Sequence, residues 1–481
     1  MRVKYLATIG LEVHVQVKTV SKMFCSCKNS FGEDPNTLVC PVCMGLPGVM
    51  PSPNKTAIIK TIMAGLLTEC QIANFSKFDR KSYFYPDMPK NYQISQYDLP
   101  FCKNGRIHVS GKGFSGEQLP EKTIGITRIH LEEDVGKLNH LGRSSGVDFN
   151  RAGVPLMEIV SEPDISSPDE AYAYLEALKE IMRYSGISDC DMEKGQMRCD
   201  VNVSVRPEGQ KEFGTKIEVK NLNSFRAVHR SLEYEIPRQI EALINGEKLY
   251  QETRGWNDDK GESYLMRRKE SAHDYRYFPE PDLQPFAIDD GMIEEIKKSL
   301  PELPVKKRER FIKDYGISEY DSEVLTQNKD IADYFDGAAK ISSNPKSIAN
   351  WIISDILKEL NARKISVKEC PVKMEYLAEL VNSVNSGKIT NTTGKDVLSE
   401  IFSTGKNPSQ IISEKGLAQI SDESGIAKFA DEVIAEFPSQ VNDFKSGKDK
   451  VLQFLIGQVM KKSKGKANAQ IAAKILKEKL S

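Results

Sequence analysis

Apolar and polar residues alternate strictly along several short stretches of the first half of the chain. Leu11, Val13, Val15 and Val17 fall on one side of an extended segment, and Glu12, His14, Gln16 and Lys18 on the other. Cys199, Val201, Val203 and Val205 alternate in the same way with Asp200, Asn202, Ser204 and Arg206, as do Ile217 and Val219 with Lys216, Glu218 and Lys220. Such alternation predicts strands with one face on a core and the other turned away from it. Helices interrupt the strands. Ser167-Pro168-Asp169-Glu170 supplies an N-cap, a first-turn proline and acids for a helix running to about Tyr184. A second helix covers Ser224 to Ile244 and stops at Asn245-Gly246.

Beyond about residue 292 the alternation fades, and Leu, Ile, Lys and Glu recur at helical spacing. Thr404-Gly405-Lys406-Asn407-Pro408-Ser409 reads as a breaker. The pattern predicts an α+β chain in three parts: a strand-rich domain over 1–292, an all-α domain over 293–405 and a small helical tail over 406–481. Val451, Leu452, Leu455, Val459 and Met460 form the apolar stripe of one tail helix.

Charge changes this picture only locally. Over 481 residues, 67 Lys and Arg stand against 68 Asp and Glu, so a nucleic-acid surface has to be a patch. One candidate lies at the end, where ten lysines from Lys445 onward face only Asp449 and Glu478. Within it Lys461, Lys462, Lys464 and Lys466 join two apolar helical stripes. A basic turn of this kind can track a phosphate backbone, although a solvated helix face fits the composition equally well. No apolar run approaches the roughly 18 residues of a membrane span. The first residues run into a strand pattern and resemble neither a signal nor a transit peptide. Nine cysteines, an odd number, suit a reducing compartment, and the reading is cytoplasmic with no membrane contact.

Four of the cysteines are spaced for a metal. Cys25-Ser26-Cys27 is followed after twelve residues by Cys40-Pro41-Val42-Cys43, with turn formers at Gly45, Pro47 and Gly48. Two such pairs suit a closed, structural Zn2+ knuckle over 25–43, against the alternative of buried thiols or a redox pair. The polar strand faces offer a second constellation. Glu12 and His14, Asp200 and Asn202, Glu218, the acids of Leu131-Glu132-Glu133-Asp134, and Glu158 would build one carboxylate-rich surface if their strands share a sheet. Oxygen ligands of this kind hold Mg2+ and, through it, nucleotide phosphates. Each acid taken alone is better read as a solvated strand face. Lys81 and Lys90 lie in a basic, aromatic stretch over 79–93 and could meet a transferring phosphoryl group. No GxxxxGK[ST] loop, dinucleotide fingerprint or GxSxG elbow is present, and no nucleophilic triad can be assigned, so amide hydrolysis is not expected of this chain.

Several longer stretches resemble one family. Ile9-Gly10-Leu11-Glu12-Val13-His14-Val15, residues 79–96 from Asp79-Arg80-Lys81 to Ile94-Ser95-Gln96, and residues 148–164 around Asn150-Arg151-Ala152-Gly153 are similar to the B subunit of the tRNA-dependent amidotransferases. Met197-Arg198-Cys199-Asp200-Val201-Asn202, Glu218-Val219-Lys220-Asn221, residues 274–282 and Phe454-Leu455-Ile456-Gly457-Gln458 extend the similarity over nearly the whole chain. The resemblance implies a glutamine-synthetase-like catalytic cradle. It also implies ATP- and Mg2+-dependent phosphorylation of the side-chain carboxylate of Glu-tRNA(Gln) or Asp-tRNA(Asn), followed by amidation. Ammonia would come from a glutaminase, the A subunit, and a small C subunit would make the assembly a heterotrimer. Motif by motif, the resemblance makes Glu12, His14, Glu133, Glu158 and Asp200 the metal and ATP residues, with Glu218, Lys81, Lys90 and Arg151 beside them. It assigns the lysine-rich tail to tRNA. Some members of the family lack the four cysteines, so zinc rests on the spacing in this chain. A stand-alone ATP-dependent ligase and a noncatalytic tRNA scaffold are the competing readings. The first leaves the basic tail unexplained, and the second leaves the recurring acids unexplained.

Overall fold

The first alternating segment forms β1 (Tyr5–Gln16), and its apolar side is fully covered because β1 lies in the middle of a sheet. The computed structural model describes residues 3–268, 275–418, 423–446, 448, 450–463 and 467–480. Asp449, Lys464 and Lys466, named above, lie outside them, as does the first residue of the 274–282 stretch. In chain order the remaining strands of the large sheet are β2 (Gln71–Ile72), β3 (Cys102–Lys112), β4 (Gln118–Glu133), β5 (Pro155–Ser161), β6 (Met197–Pro207), β7 (Ile217–Leu222), β8 (Glu252–Asn257) and β9 (Glu262–Arg268). Helices α1 (Lys55–Leu67), α2 (Pro168–Tyr184) and α3 (Phe225–Ile244) accompany them. Across the sheet the order is β9-β8-β7-β6-β1-β5-β4-β3-β2. Neighbours run antiparallel except β7 and β8, which are parallel and are connected through α3. The expected α+β class is what the chain forms.

Both predicted helices start where their caps place them. The Ser167 side chain accepts from the Glu170 N–H with Pro168 in the first turn, and Ser224 accepts from the Ala227 N–H. Ile9, Leu11, Val13, Val15, Met157, Ile159, Val201, Val203, Ile217 and Val219 are at most 1% exposed on one sheet face. They share a core with Tyr174, Leu175 and Leu178 of α2 and Val228 and Leu232 of α3. Each such side chain contributes about 1.5–3 kcal/mol on leaving water, and this fixes which face of every strand is turned away from the helices.

Register then sets the order of residues on that other face. Glu12 lies opposite Val160 of β5 and Asp200 of β6, and His14 opposite Glu158 and Arg198. Asn202 faces Glu218 of β7. Between β4 and β5 the register slips: Val160 pairs with Arg128 but Ser161 with Ile126, so Thr127 is an extra residue in β4. This bulge shifts the phase of β4. Ile124 and Ile126 point into the core before it, and Ile129 and Leu131 after it.

A three-stranded antiparallel sheet of Asp79–Ser82, Tyr92–Ser95 and Phe278–Pro279 belongs to the same unit. Helix α4 (Asp290–Ser299) packs on α1 and adds Ile296 to the core. The first compact unit therefore runs to Leu303, past the boundary read at 292.

The second unit, Pro304–Ser481, is all helix in its described regular elements. Its first set is α5 (Pro304–Tyr315), α6 (Glu319–Thr326), α7 (Lys329–Ile341), α8 (Pro345–Trp351), α9 (Leu357–Arg363), α10 (Met374–Asn385), α11 (Asn391–Thr404) and α12 (Pro408–Glu414). Helix α12 packs on α10 and α11, so the segment after the Thr404–Ser409 breaker still belongs with these helices. The second set is α13 (Glu423–Glu436), α14 (Pro438–Lys445), α15 (Lys450–Lys462) and α16 (Ala469–Leu480). Its core holds Ile426, Val433, Leu455, Val459 and Leu476. Among the described residues no helix is long and apolar enough to cross a membrane.

Candidate active site

Strand alternation and register carry a set of acids onto the polar face of the large sheet. Glu12 and His14 come from β1, His130 and Glu132 from β4, Glu158 from β5, Asp200 from β6 and Glu218 from β7. His14 sits at their centre. Its Nε2 is 3.4 Å from Glu158 Oε2 and 3.8 Å from Glu12 Oε1. His130 Nε2 lies 3.6 Å from both Glu132 Oε2 and Glu158 Oε2. Glu12, His14 and Asp200 form one group with ligand atoms within 4.8 Å of one another, and His14, Glu132 and Glu158 form a second.

The charges on this face are not balanced by its own cations. Lys220 pairs with Asp200 and lies 3.1 Å from Glu218, which also accepts from Thr253 Oγ1 at 2.8 Å. Lys81 Nζ is 3.8 Å from Glu132, and Arg128 is 3.4 Å from Glu158. Burial together with the Glu158 charge pushes the Glu12 carboxyl above its usual range. Burial works against the Glu158 charge too, but His130 and His14 hold that carboxyl well below its usual range. Burial likewise opposes the Lys81 charge, yet Glu132 and Glu158 raise its ammonium well above an ordinary lysine. Crowded carboxylates of this kind suit divalent cations, and the donor set, oxygen with one imidazole, fits Mg2+ with water completing its shell.

The face continues at the Lys81 end into a cavity of about 360 Å3 lined by His14, Lys81, Tyr83, Glu132, Arg198 and Lys220. Asp134 closes it. Gln16 donates to Asp134 at 2.9 Å, Arg198 reaches it at 2.9 Å and Arg151 at 3.7 Å. Burial opposes the Asp134 charge, but the two guanidinium groups keep its carboxyl below the ordinary value. Arg151 also donates to the carbonyls of Val135 (2.9 Å) and Gly136 (2.6 Å). It thus acts as a clamp on the turn after β4.

Glu133 and Lys90 are not part of this cluster. Glu133 is one residue past Glu132 and points to the opposite side of β4. There it pairs with Lys90 and accepts from the Ile94 N–H at 3.0 Å. The pair lines a cavity of about 160 Å3 with Cys25, Cys43 and Gly153. Glu132 takes the position on the polar face. Sequence reasoning also passed over His130, Arg198 and Lys220 as site residues. A signal existed, because His130 falls opposite Glu158 and Arg198 opposite His14 on the neighbouring strands, and Lys220 alternates in phase with Glu218, but the register was needed to use it.

The knuckle forms beside Glu133. The sulfurs of Cys25, Cys27, Cys40 and Cys43 lie within 4.8 Å of one another. A tetrahedron with Zn–S bonds of about 2.3 Å needs about 3.8 Å between sulfurs, so the quartet fits Zn2+. Pressed together as thiols they polarise one another. A hydrogen bond from Cys25 brings Cys43 down to about 5, and Cys25 rises in turn. Lys22, fully buried, places its Nζ 3.8 Å from Cys43 Sγ and 3.3 Å from the Phe149 carbonyl. Gly153 turns the backbone here at φ +84°, a conformation that favours glycine, beside Cys43, Lys22 and Glu133.

In the tail, Lys461 and Lys462 occupy the last turn of α15, both outside its packed face. Lys462 is shared between Glu432 (3.2 Å) and Glu436 (2.9 Å) of α13.

Comparison with known proteins defines the class first. Residues 7–294 match the GatB/GatE catalytic domain, and residues 333–480 match the GatB domain. The chain is 53% identical to the aspartyl/glutamyl-tRNA(Asn/Gln) amidotransferase B subunit of Carboxydothermus hydrogenoformans, covering 99% of both chains. It is 54% identical to the protein of that name from Thermoanaerobacter pseudethanolicus, over 99% of this chain and 100% of the other. It is 52% identical to that from Persephonella marina, over 98% of each. The chain belongs to the family of aspartyl/glutamyl-tRNA(Asn/Gln) amidotransferase B subunits.

Proposed function

We propose that this chain activates the side-chain carboxylate of glutamyl-tRNA(Gln), aspartyl-tRNA(Asn) or both with ATP, and delivers the activated acyl group to ammonia. The observation that carries the proposal is the convergence of Glu12, His14, Glu132, Glu158 and Asp200 on one sheet face, with Lys81 and Arg198 at its end. A carboxylate is a poor acyl donor until one of its oxygens carries a good leaving group. The carboxylate oxygen attacks the γ-phosphorus and ADP departs. Ammonia then attacks the acyl carbon, phosphate departs, and the nitrogen gives up one proton.

Phosphoryl transfer of this kind asks for positioning and charge compensation rather than covalent help from the protein. Lys81, held in its charged form by two acids, is placed to draw the substrate carboxylate toward the cluster. Arg198, anchored by Asp134, adds a second cation on the same wall. Glu12, His14 and Asp200, and His14 with Glu132 and Glu158, are the sets that would hold Mg2+, which neutralises phosphate charge when bound. Lys220 holds the Asp200 carboxylate in place and is itself held by Glu218. Arg151 orders the turn that carries Asp134. The cysteine quartet is the structural zinc site, with Glu133 and Lys90 tying it to β4. In this reading the glutaminase, the A subunit, supplies the ammonia, and the C subunit makes up a cytoplasmic heterotrimer. The tail over 406–481 meets tRNA, with Lys461 and Lys462 at the contact.

The test is ATP turnover by the chain assembled with its partners, with and without glutamyl-tRNA(Gln). The reading predicts turnover that requires the charged tRNA and yields glutaminyl-tRNA(Gln). ATP consumed regardless of tRNA, or not at all, would overturn it in favour of a free-standing ligase or a scaffold.

A further inference from the structure

Strands β8 and β9 supply none of the acids grouped above, yet the polar face runs on across them. Lys220 of β7 pairs with Gly255 of β8, and Gly255 with Tyr264 of β9, so the three positions lie in a row on one face. The Tyr264 ring lies across Gly255: a Cβ there would stand 2.5 Å from the ring's Cζ and 2.6 Å from its hydroxyl oxygen. The ring thereby reaches β7, where its hydroxyl accepts from the Asn221 carboxamide at 3.1 Å. Asn221 is held at φ +66°, in the left-handed region. It is the extra residue of a bulge. Cys199 of β6 pairs with Leu222 and Val201 with Val219, so Asp200 alone faces both Lys220 and Asn221.

The bulge decides what the end of β7 presents. Ile217 and Val219 are buried in the core, and Glu218 and Lys220 stand on the polar face. Strict alternation from there would carry Leu222 onto the polar face and turn Asn223 into the core. The extra residue reverses both. Leu222 joins the core, and Asn223 lines the cation-lined cavity with Lys220. We infer that Tyr264 is a positioning residue for carboxylate activation: its hydroxyl pins the left-handed turn at Asn221, and that turn sets Lys220 on Asp200 and Asn223 in the cavity wall. The inference rests on the proposed ATP-dependent activation. The Tyr264 backbone stands three strands from Asp200, about 14 Å across the sheet, so it acts through β7. Packing alone does not account for the arrangement. The Tyr264 residue is 45% exposed, and the bare backbone of Gly255 is what lets its hydroxyl cross to Asn221.

The test uses the assembled complex with Tyr264→Phe, which removes the hydroxyl alone, and Gly255→Ala, whose Cβ meets the far end of the Tyr264 side chain first and displaces it. In both, kcat for conversion of glutamyl-tRNA(Gln) is expected to fall about three- to tenfold. KM for ATP and for the charged tRNA should stay within about twofold of the parent. Thermal unfolding and glutaminase activity should stay at parental values. Glycine adopts a left-handed turn without a pin, so adding Asn221→Gly to Tyr264→Phe should return kcat to within about twofold of the parent. Parental kcat in both single variants overturns the inference. A loss that Asn221→Gly does not restore also overturns it, because the hydroxyl then acts elsewhere than on the turn. So does a loss that appears in KM alone or is matched by lower thermal stability, which would make Tyr264 a packing residue. If the parent complex shows no tRNA-dependent ATP turnover, the activation reading itself fails and this inference falls with it, a result distinct from a silent Tyr264 variant.

Discussion

Replacing Glu132 with glutamine separates the two acids at the end of β4. Glu132 is 2% exposed, lies 3.8 Å from Lys81 Nζ and accepts from Ser95 Oγ at 2.9 Å. Glutamine keeps the volume and the Ser95 hydrogen bond and removes one charge from the polar face. At an effective dielectric of about 20, the lost Lys81 interaction alone is about 4 kcal/mol, or about three decades in the rate of carboxylate activation if it is felt mainly in the transition state. Folding should suffer little, because Lys81 keeps Glu158 nearby and the repulsion between Glu132 and Glu158 is relieved. Glu133→Gln does the reverse. It leaves Lys90 buried without its partner, costing about 3–5 kcal/mol of stability, while the polar face is untouched. Single-turnover conversion of glutamyl-tRNA(Gln), thermal unfolding and glutaminase activity of the same complexes distinguish the two. If Glu132→Gln turns over at the parental rate, or Glu133→Gln loses activation without losing stability, the placement of these acids is refuted.

Three further outcomes are expected. Metal analysis finds about one zinc per chain, and Cys40→Ser loses it together with stability of the first unit; zinc-free, fully folded protein removes that assignment. Lys22→Met, which keeps the packing but removes the buried ammonium beside Cys43, lowers zinc affinity about 10–100-fold in chelator competition; an unchanged affinity would show that Lys22 only fills space. In the second unit Asp336 pairs with Arg310 (2.9 Å) and Lys340 (3.0 Å). Although burial opposes its charge, hydrogen bonds from Arg310 and Tyr315 depress its carboxyl far below the usual range. That stability is present above the unfolded value of about 3.9 and is lost as pH falls through the folded value. Asp336→Asn should therefore cost about 2 kcal/mol at about pH 7 and nearly as much at about pH 4, and clearly less at about pH 2, measured by urea unfolding at the three values.

Much of the first unit was legible because its strands have one dry face. The alternation at 11–17, 199–206 and 216–220 located three central strands, and Ser167 and Ser224 marked helix starts that the structure repeats to the residue. The metal spacing of the cysteines was equally local. Partners distant in sequence were not legible. Nothing in β1 says that β5 and β6 flank it, so the meeting of Glu12, His14, Glu158 and Asp200 could be expected but not located. Glu133 shows how one residue decides the matter. Counted from Ile124 and Ile126, the alternation would turn Glu133 outward and Glu132 inward. The extra residue at Thr127 reverses both. A bulge is a property of the pair of strands, and β4 alone does not announce it. The end of the first unit was hidden similarly. Helix α4 has the lysines and acids of the helices that follow, yet Ile296 belongs to the sheet's core.

The central place of β1 also bears on how the protein is made. Glu12 finds its two neighbours at Val160 and Asp200, about 150 and 190 residues further along. At synthesis rates of about 5–20 residues per second, β1 waits roughly 7–40 s for the strands that will flank it. For that time the nascent chain carries an apolar strand with both edges open, the form most prone to pair with a wrong partner. Neither group of acids can gather until its flanking strands have left the ribosome. Stalling between residues 20 and 150 would leave a chain prone to aggregate and with no site to show for it.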